Sequence, residues 1–110
     1  MQLEIASPNF PVTEAIRERV QTKVQKALYH FEDRLGPVHV GLSDVDGPRG
    51  GEDKRCRIEC NIQSLRRLTV EDTQHDLYLA IDQAAERIGR AVERQLMKRR
   101  SLSRAPRPRE

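Results

Sequence analysis

The residues best equipped for chemistry in this 110-residue sequence are cations set at helical spacing. Arg87, Arg90, Arg94 and Lys98 recur at steps of three and four. At 100° per residue they fall within about 80° of one another on a helix. Arg19, Lys23, Lys26 and His30 make a second set within about 60°. Asp82, Glu86 and Glu93 take the other flank of the later helix, and Glu14, Glu18 and Glu32 the other flank of the earlier one. Both cationic flanks lie on the same rotational side of their apolar stripe. A guanidinium fork engages phosphate oxygens two at a time, so such stripes suit a polyanion. The plainer alternative is a solvated, ion-paired face, for which Glu86–Arg90 and Arg90–Glu93 are suitable pairs.

The distribution of charge along the chain favours the polyanion. Residues 1–86 hold 11 Lys and Arg against 15 Asp and Glu, and residues 87–110 hold 9 against 2. Asymmetry of this kind points to a nucleic-acid or membrane-surface partner. Aromatic residues make up only 4% of the chain. Tyr29 is expected to be exposed and Tyr78 half-buried, which leaves few platforms for stacking on unpaired bases. Recognition of backbone and shape in structured RNA fits better. Lys54, Arg55, Arg57, Arg99 and Arg100 are further candidates for RNA contact.

Other constellations carry less. Cys56 and Cys60 share one face of a strand, about 13 Å apart, too far for one zinc ion or for a disulfide. They read as small buried hydrophobes. His30, His39 and His75 are scattered and no nucleophile–base spacing is present, so surface roles are expected. GPRGGED lacks the lysine ending of a phosphate loop and leads into no helix. No enzyme, metal site or cofactor is expected.

The elements that must position the cations follow from periodicity. QLEIA alternates as a short strand. Thr13 is a candidate N-cap. Ile16, Val20, Val24, Ala27, Leu28, Phe31 and Leu35 trace one amphipathic helix, which Gly36-Pro37 is expected to end. Val38, Val40 and Leu42 mark a second strand, and Cys56, Ile58, Cys60 and Ile62 a third. A weaker alternation at Leu68 and Val70 marks a fourth. The glycine-rich stretch Asp44–Asp53 reads as a flexible hairpin connection. A long helix over about Asp76–Arg100 carries Leu77, Ile81, Ala84, Ala85, Ile88, Val92 and Leu96 on its apolar stripe.

The order is β-α-β-β-β-α. The fold class is α+β: a two-layer sandwich, with a four-stranded sheet and two roughly parallel helices on one face. Residues 1–100 form the domain, and residues 101–110, with two prolines and no apolar period, read as a disordered basic tail. No basic start or apolar run follows Met1 and no stretch could span a bilayer, so no signal peptide and no membrane partner are expected. The expected location is cytoplasmic.

Three blocks in this order resemble a known family. They are MQLEIASPNFPVTEAIRERVQTKVQKALYHF, VHVGLS and DLYLAIDQAAERIGRAVERQL, and the run D-x-Y-x-A-I-D from Asp76 to Asp82 is the most specific. The chain resembles the ribosome hibernation-promoting factors, also called ribosome-associated inhibitor A or sigma-54 modulation proteins, over about residues 1–98. The resemblance implies a non-catalytic translation inhibitor. Its partner would be the small ribosomal subunit, in the channel where mRNA and tRNAs lie, with basic helix residues touching rRNA. The family's basic positions fall on Arg87, Arg90 and Arg94, and on Arg17, Lys23 and Lys26. The Asp44–Asp53 loop is longer than usual. The dimerisation domain of the long forms is not seen, so a short form is expected, monomeric off the ribosome and with no small-molecule substrate. The alternative is a protein-interaction module, for instance in transcription, that binds through the acidic flanks Glu14, Glu18, Glu32, Asp82, Glu86 and Glu93.

Overall fold

The computed structural model describes residues 1–45, 53–63 and 66–104, with side chains through Lys98. The elements are β1 (Leu3–Ala6), α1 (Glu14–Leu28), a 3-10 segment (Tyr29–Arg34), β2 (Leu35–Asp44), β3 (Lys54–Ile62), β4 (Arg67–Gln74) and α2 (Leu77–Arg104). They form the expected four-stranded α+β sandwich. The sheet runs in the order β1-β2-β3-β4. β1 pairs parallel to β2, and the two later pairings are antiparallel.

Thr13 caps α1, its hydroxyl oxygen accepting from the Ile16 N–H at 3.2 Å. Ile16, Val20, Val24 and Leu28 are buried as the stripe predicts. The helix stops earlier than the expected Gly36-Pro37 boundary. Leu28 has φ −110°, off the helical value, and Tyr29–Arg34 winds on in tighter 3-10 turns. Gly36 and Pro37 lie inside β2, where the register with β3 shifts between Leu35 and Val38. Proline has no N–H to give to a ladder, so a bulge is where a strand tolerates it. Pairing with β1 begins just after it, with the Val38 N–H donating to the Gln2 carbonyl at 2.8 Å.

One face of the sheet meets both helices. Val38, Val40, Leu42, Cys56, Ile58, Cys60 and Ile62 point inward against Ile81, Ala84, Ala85, Ile88 and Val92 of α2 and the buried stripe of α1. Burying each Val, Leu or Ile contributes about 1.5–3 kcal/mol. Both cysteines are free and buried in this core. The alternation of β4 is weak because its inward positions turn polar, from Leu68 and Val70 to Asp72 and Gln74.

The opposite sheet face is open and charged. His39 faces solvent there, 3.2 Å from Glu4, and Arg57 and Arg67 pair across strands with Glu71 and Glu59. The hairpin connection lies mostly outside the described residues, and its ends close through the Val45 N–H and the Asp53 carbonyl at 3.0 Å. α2 continues to Arg104, four residues past the expected Arg100 and into the segment read as tail. Pro106 and the restriction it places on Ala105 are the first obstacles to helix in that stretch. Residues 105–110 lie outside the described residues.

Candidate nucleic-acid interface

α1 and α2 run parallel. Their contacts advance together, Arg19 with Asp82 and then Ala27 with Gly89. Two parallel helices with the same rotational charge asymmetry must turn the basic flank of one toward the acidic flank of the other. The seam between them is therefore charge-complementary, and the two cationic stripes do not merge into one surface.

Arg19 is the centre of that seam. Its Nε and one Nη donate to the two oxygens of Asp82 at 2.9 and 2.7 Å. Its guanidinium also lies over the Tyr78 ring, 5.4 Å from the centroid. The hydrogen bonds from Arg19 hold the Asp82 carboxyl below the usual carboxylate range, and the same bonds raise the Arg19 pKa. Asp76 caps α2, its carboxylate accepting from the Tyr78 N–H at 2.9 Å. The D-x-Y-x-A-I-D run is thus a clamp: Asp76 starts the helix, Tyr78 supports a guanidinium and Asp82 grips it. The fork of Arg19, expected to meet RNA, is committed to holding the helices together.

Beyond the clamp, Gly89 lets the helices approach. A Cβ there would lie 3.0 Å from the Ala27 carbonyl oxygen. On the outer side a groove of about 330 Å³ is lined by Lys23, Lys26, Ala27, Asp82, Gln83, Ala85 and Glu86. Lys26 is exposed and Lys23 half-buried, and neither forms an ion pair among the described residues. They face Asp82 and Glu86 across the groove.

The cationic flank of α2 turns the other way, toward β4. Arg87 lies 3.4 Å from Asp72 of that strand, with 60% of its side chain exposed. Arg90 pairs one turn back with Glu86 at 2.8 Å, the solvated pairing that the plainer reading anticipates. Arg94 and Lys98 are exposed and form no ion pair among the described residues. They line an open depression with Arg90, Glu93 and exposed Met97.

The remaining candidates do not join this flank. Arg17 is exposed but stands about 160° round α1 from Arg19. His30 sits on the 3-10 segment, edge-on to Tyr29 at 5.3 Å. Tyr29 is 67% exposed, as expected. Arg55 and Arg57 belong to the open sheet face, and Lys54, beside the hairpin, pairs with Asp44 at 3.3 Å. Arg99 and Arg100 continue α2, with side chains outside the described residues. Sequence reasoning missed Asp72. Its signal was the break in the apolar alternation of β4.

Fold and site together define a small α+β sandwich with one exposed cationic helix flank. Residues 3–100 match the family described as sigma 54 modulation protein / S30EA ribosomal protein, and the chain belongs to that family. It is 27% identical over 94 residues to a ribosome hibernation promotion factor of Picosynechococcus sp., covering 86% of this chain and 48% of that protein. The chain thus spans about half the length of that relative. It is 29% identical over 93 residues to a ribosome hibernation promoting factor of Azotobacter vinelandii, covering 84% and 79%. Among solved structures it is similar to the N-terminal domain of Thermus thermophilus Protein Y, with TM-score 0.71, 28% identity, and 86% and 98% of the two chains covered. A ribosomal subunit interface protein from Coxiella burnetii shares the fold, with TM-score 0.77 at 11% identity over 88% and 99%.

Proposed function

We propose that this chain is a non-catalytic, ribosome-binding hibernation factor that inhibits translation by occupying the mRNA and tRNA channel of the small subunit. The observation that carries the reading is the exposed row Arg87, Arg90, Arg94 and Lys98 on one flank of α2, in a chain of this family. The relatives named as hibernation factors and as a subunit interface protein support the same partner. The row touches rRNA phosphates, and Lys23 and Lys26 add a second line of positive charge across the groove. The clamp at Arg19 and the close approach at Gly89 keep the two lines at a fixed spacing, so binding requires no rearrangement of the helices. With Tyr78 under Arg19 and Tyr29 alone at the surface, recognition is of shape and backbone. Occlusion needs no bond chemistry, only a rigid body held in the channel. The acidic flank of α2 has its Asp82 engaged in the seam and Glu86 paired with Arg90, which counts against a protein-binding face there.

The test is co-sedimentation with ribosomes of the Arg87→Glu, Arg90→Glu, Arg94→Glu triple variant. Binding should be lost at moderate salt. Single alanine variants should each flatten the dependence of log affinity on log salt by roughly 0.7–0.9, the loss of one phosphate contact. Undiminished pelleting of the triple variant refutes the reading.

A further inference from the structure

Asp72 is the one buried charged residue among those described, with 8% of its surface exposed. It sits on the helix-facing side of the edge strand β4, opposite Cys56 in the register. Gln74 Nε2 donates to one carboxylate oxygen at 2.7 Å. The other oxygen lies 3.4 Å from Arg87 Nη2. A carboxylate removed from water is unfavourable unless it is paired, and an apolar residue continuing the Leu68 and Val70 series would pack that position without the cost. Gln74 fixes the orientation of the carboxylate from its own strand, so the anion is a rigid post. The guanidinium it faces remains mostly exposed and is the first cation of the α2 row.

We infer that Asp72 is a positioning residue for the RNA-binding flank: it anchors one edge of the Arg87 guanidinium from beneath and presents the remaining N–H donors outward. This rests on the reading that the flank binds rRNA. Two effects of opposite sign compete. The carboxylate subtracts charge from the row, and it removes rotamer freedom that Arg87 would otherwise lose on binding. Asp72 lies under the guanidinium, so an approaching phosphate meets Arg87 first and the carboxylate at longer range. Presentation outweighs neutralisation.

A double-mutant cycle on the full chain tests this, with ribosome affinity measured at one fixed salt concentration. The variants are Asp72→Asn, which keeps the shape and the bond from Gln74, Arg87→Ala, and the pair together. Asp72→Asn should weaken binding roughly three- to tenfold alone and less than about twofold when Arg87 is already Ala. In the free protein, the Arg87 Nε–Hε group should be ordered by NMR relaxation and become mobile in Asp72→Asn. Equal weakening in both backgrounds makes Asp72 merely structural and overturns the proposal. Tighter binding of Asp72→Asn overturns it too, because the carboxylate would then restrain Arg87. Wild-type affinity of Arg87→Ala would instead remove the interface reading at Arg87, an outcome separate from the other two because those leave the Arg87→Ala defect in place.

Discussion

Replacing Gly89 by alanine sets two well-known effects against each other. Alanine is the better helix former by about 1 kcal/mol, so at an unconstrained site the change stabilises. At this site the new Cβ would lie 3.0 Å from the carbonyl oxygen of Ala27 and 3.3 Å from its Cβ. The oxygen belongs to the backbone of α1 and cannot rotate away, so one helix must move by a few tenths of an ångström. Overpacking of this sort costs about 1–3 kcal/mol. The expected net effect is a loss of about 1 kcal/mol, or a drop in Tm of about 5 °C for a chain of this size. Gly89→Val gains less from propensity and adds two methyl groups, so its loss should be larger, about 3 kcal/mol. Thermal and urea unfolding followed by circular dichroism would measure both. A rise in Tm for Gly89→Ala, by the full propensity gain, would show that the helices do not approach at this point.

The remaining predictions concern titration. Burial pushes the Cys56 thiol up to about 12 and the Cys60 thiol up to about 11, so the unfolded chain ionises first as the pH climbs. The thiols' contribution to stability is intact below about pH 8.5 and declines above it. Urea midpoints should therefore fall between about pH 9 and 11, less so in a Cys56→Ala, Cys60→Ala variant, and identical slopes would contradict this. Neither native thiol should react with a maleimide at pH 7.5 on a timescale that labels the urea-unfolded chain. Asp82 behaves in the opposite sense, because Arg19 lowers its pKa. Its contribution is present above the ordinary carboxylate range and is lost as the pH falls through the lowered value. Asp82→Asn should destabilise the protein at pH 7, with the difference from wild type shrinking toward pH 2–3, and a gap that does not change with pH would count against the ion pair.

Periodicity located the elements and nearly all of the core, because a stripe on a helix or strand is a local property. It misplaced the end of α1. The apolar spacing continues through Phe31 and Leu35 whether the backbone is α-helical, 3-10 or strand, and Leu35 packs on the core from β2. The cations could be assigned to flanks but not to neighbours. A helical wheel gives rotation, whereas what a flank faces depends on the β1-β2-β3-β4 order and on which helix lies beside it. Parallel helices with same-handed charge asymmetry already required a basic flank opposite an acidic one. That opposition is what sets Arg19 against Asp82. Asp72 was harder to see, since a polar residue late in a strand usually signals only that the strand is leaving the core.

Asp72 also bears on a hazard common to open sheets. β4 is an outer strand, and such a strand offers half of its backbone ladder to any passing chain. The first edge, β1, is only four residues long and has little to offer. β4 is twice that length. Its inward carboxylate makes added pairing unfavourable, because a foreign strand docking there would extend the sheet beside a buried anion and crowd the guanidinium that compensates it. A charge held beneath an edge thereby opposes edge-to-edge association.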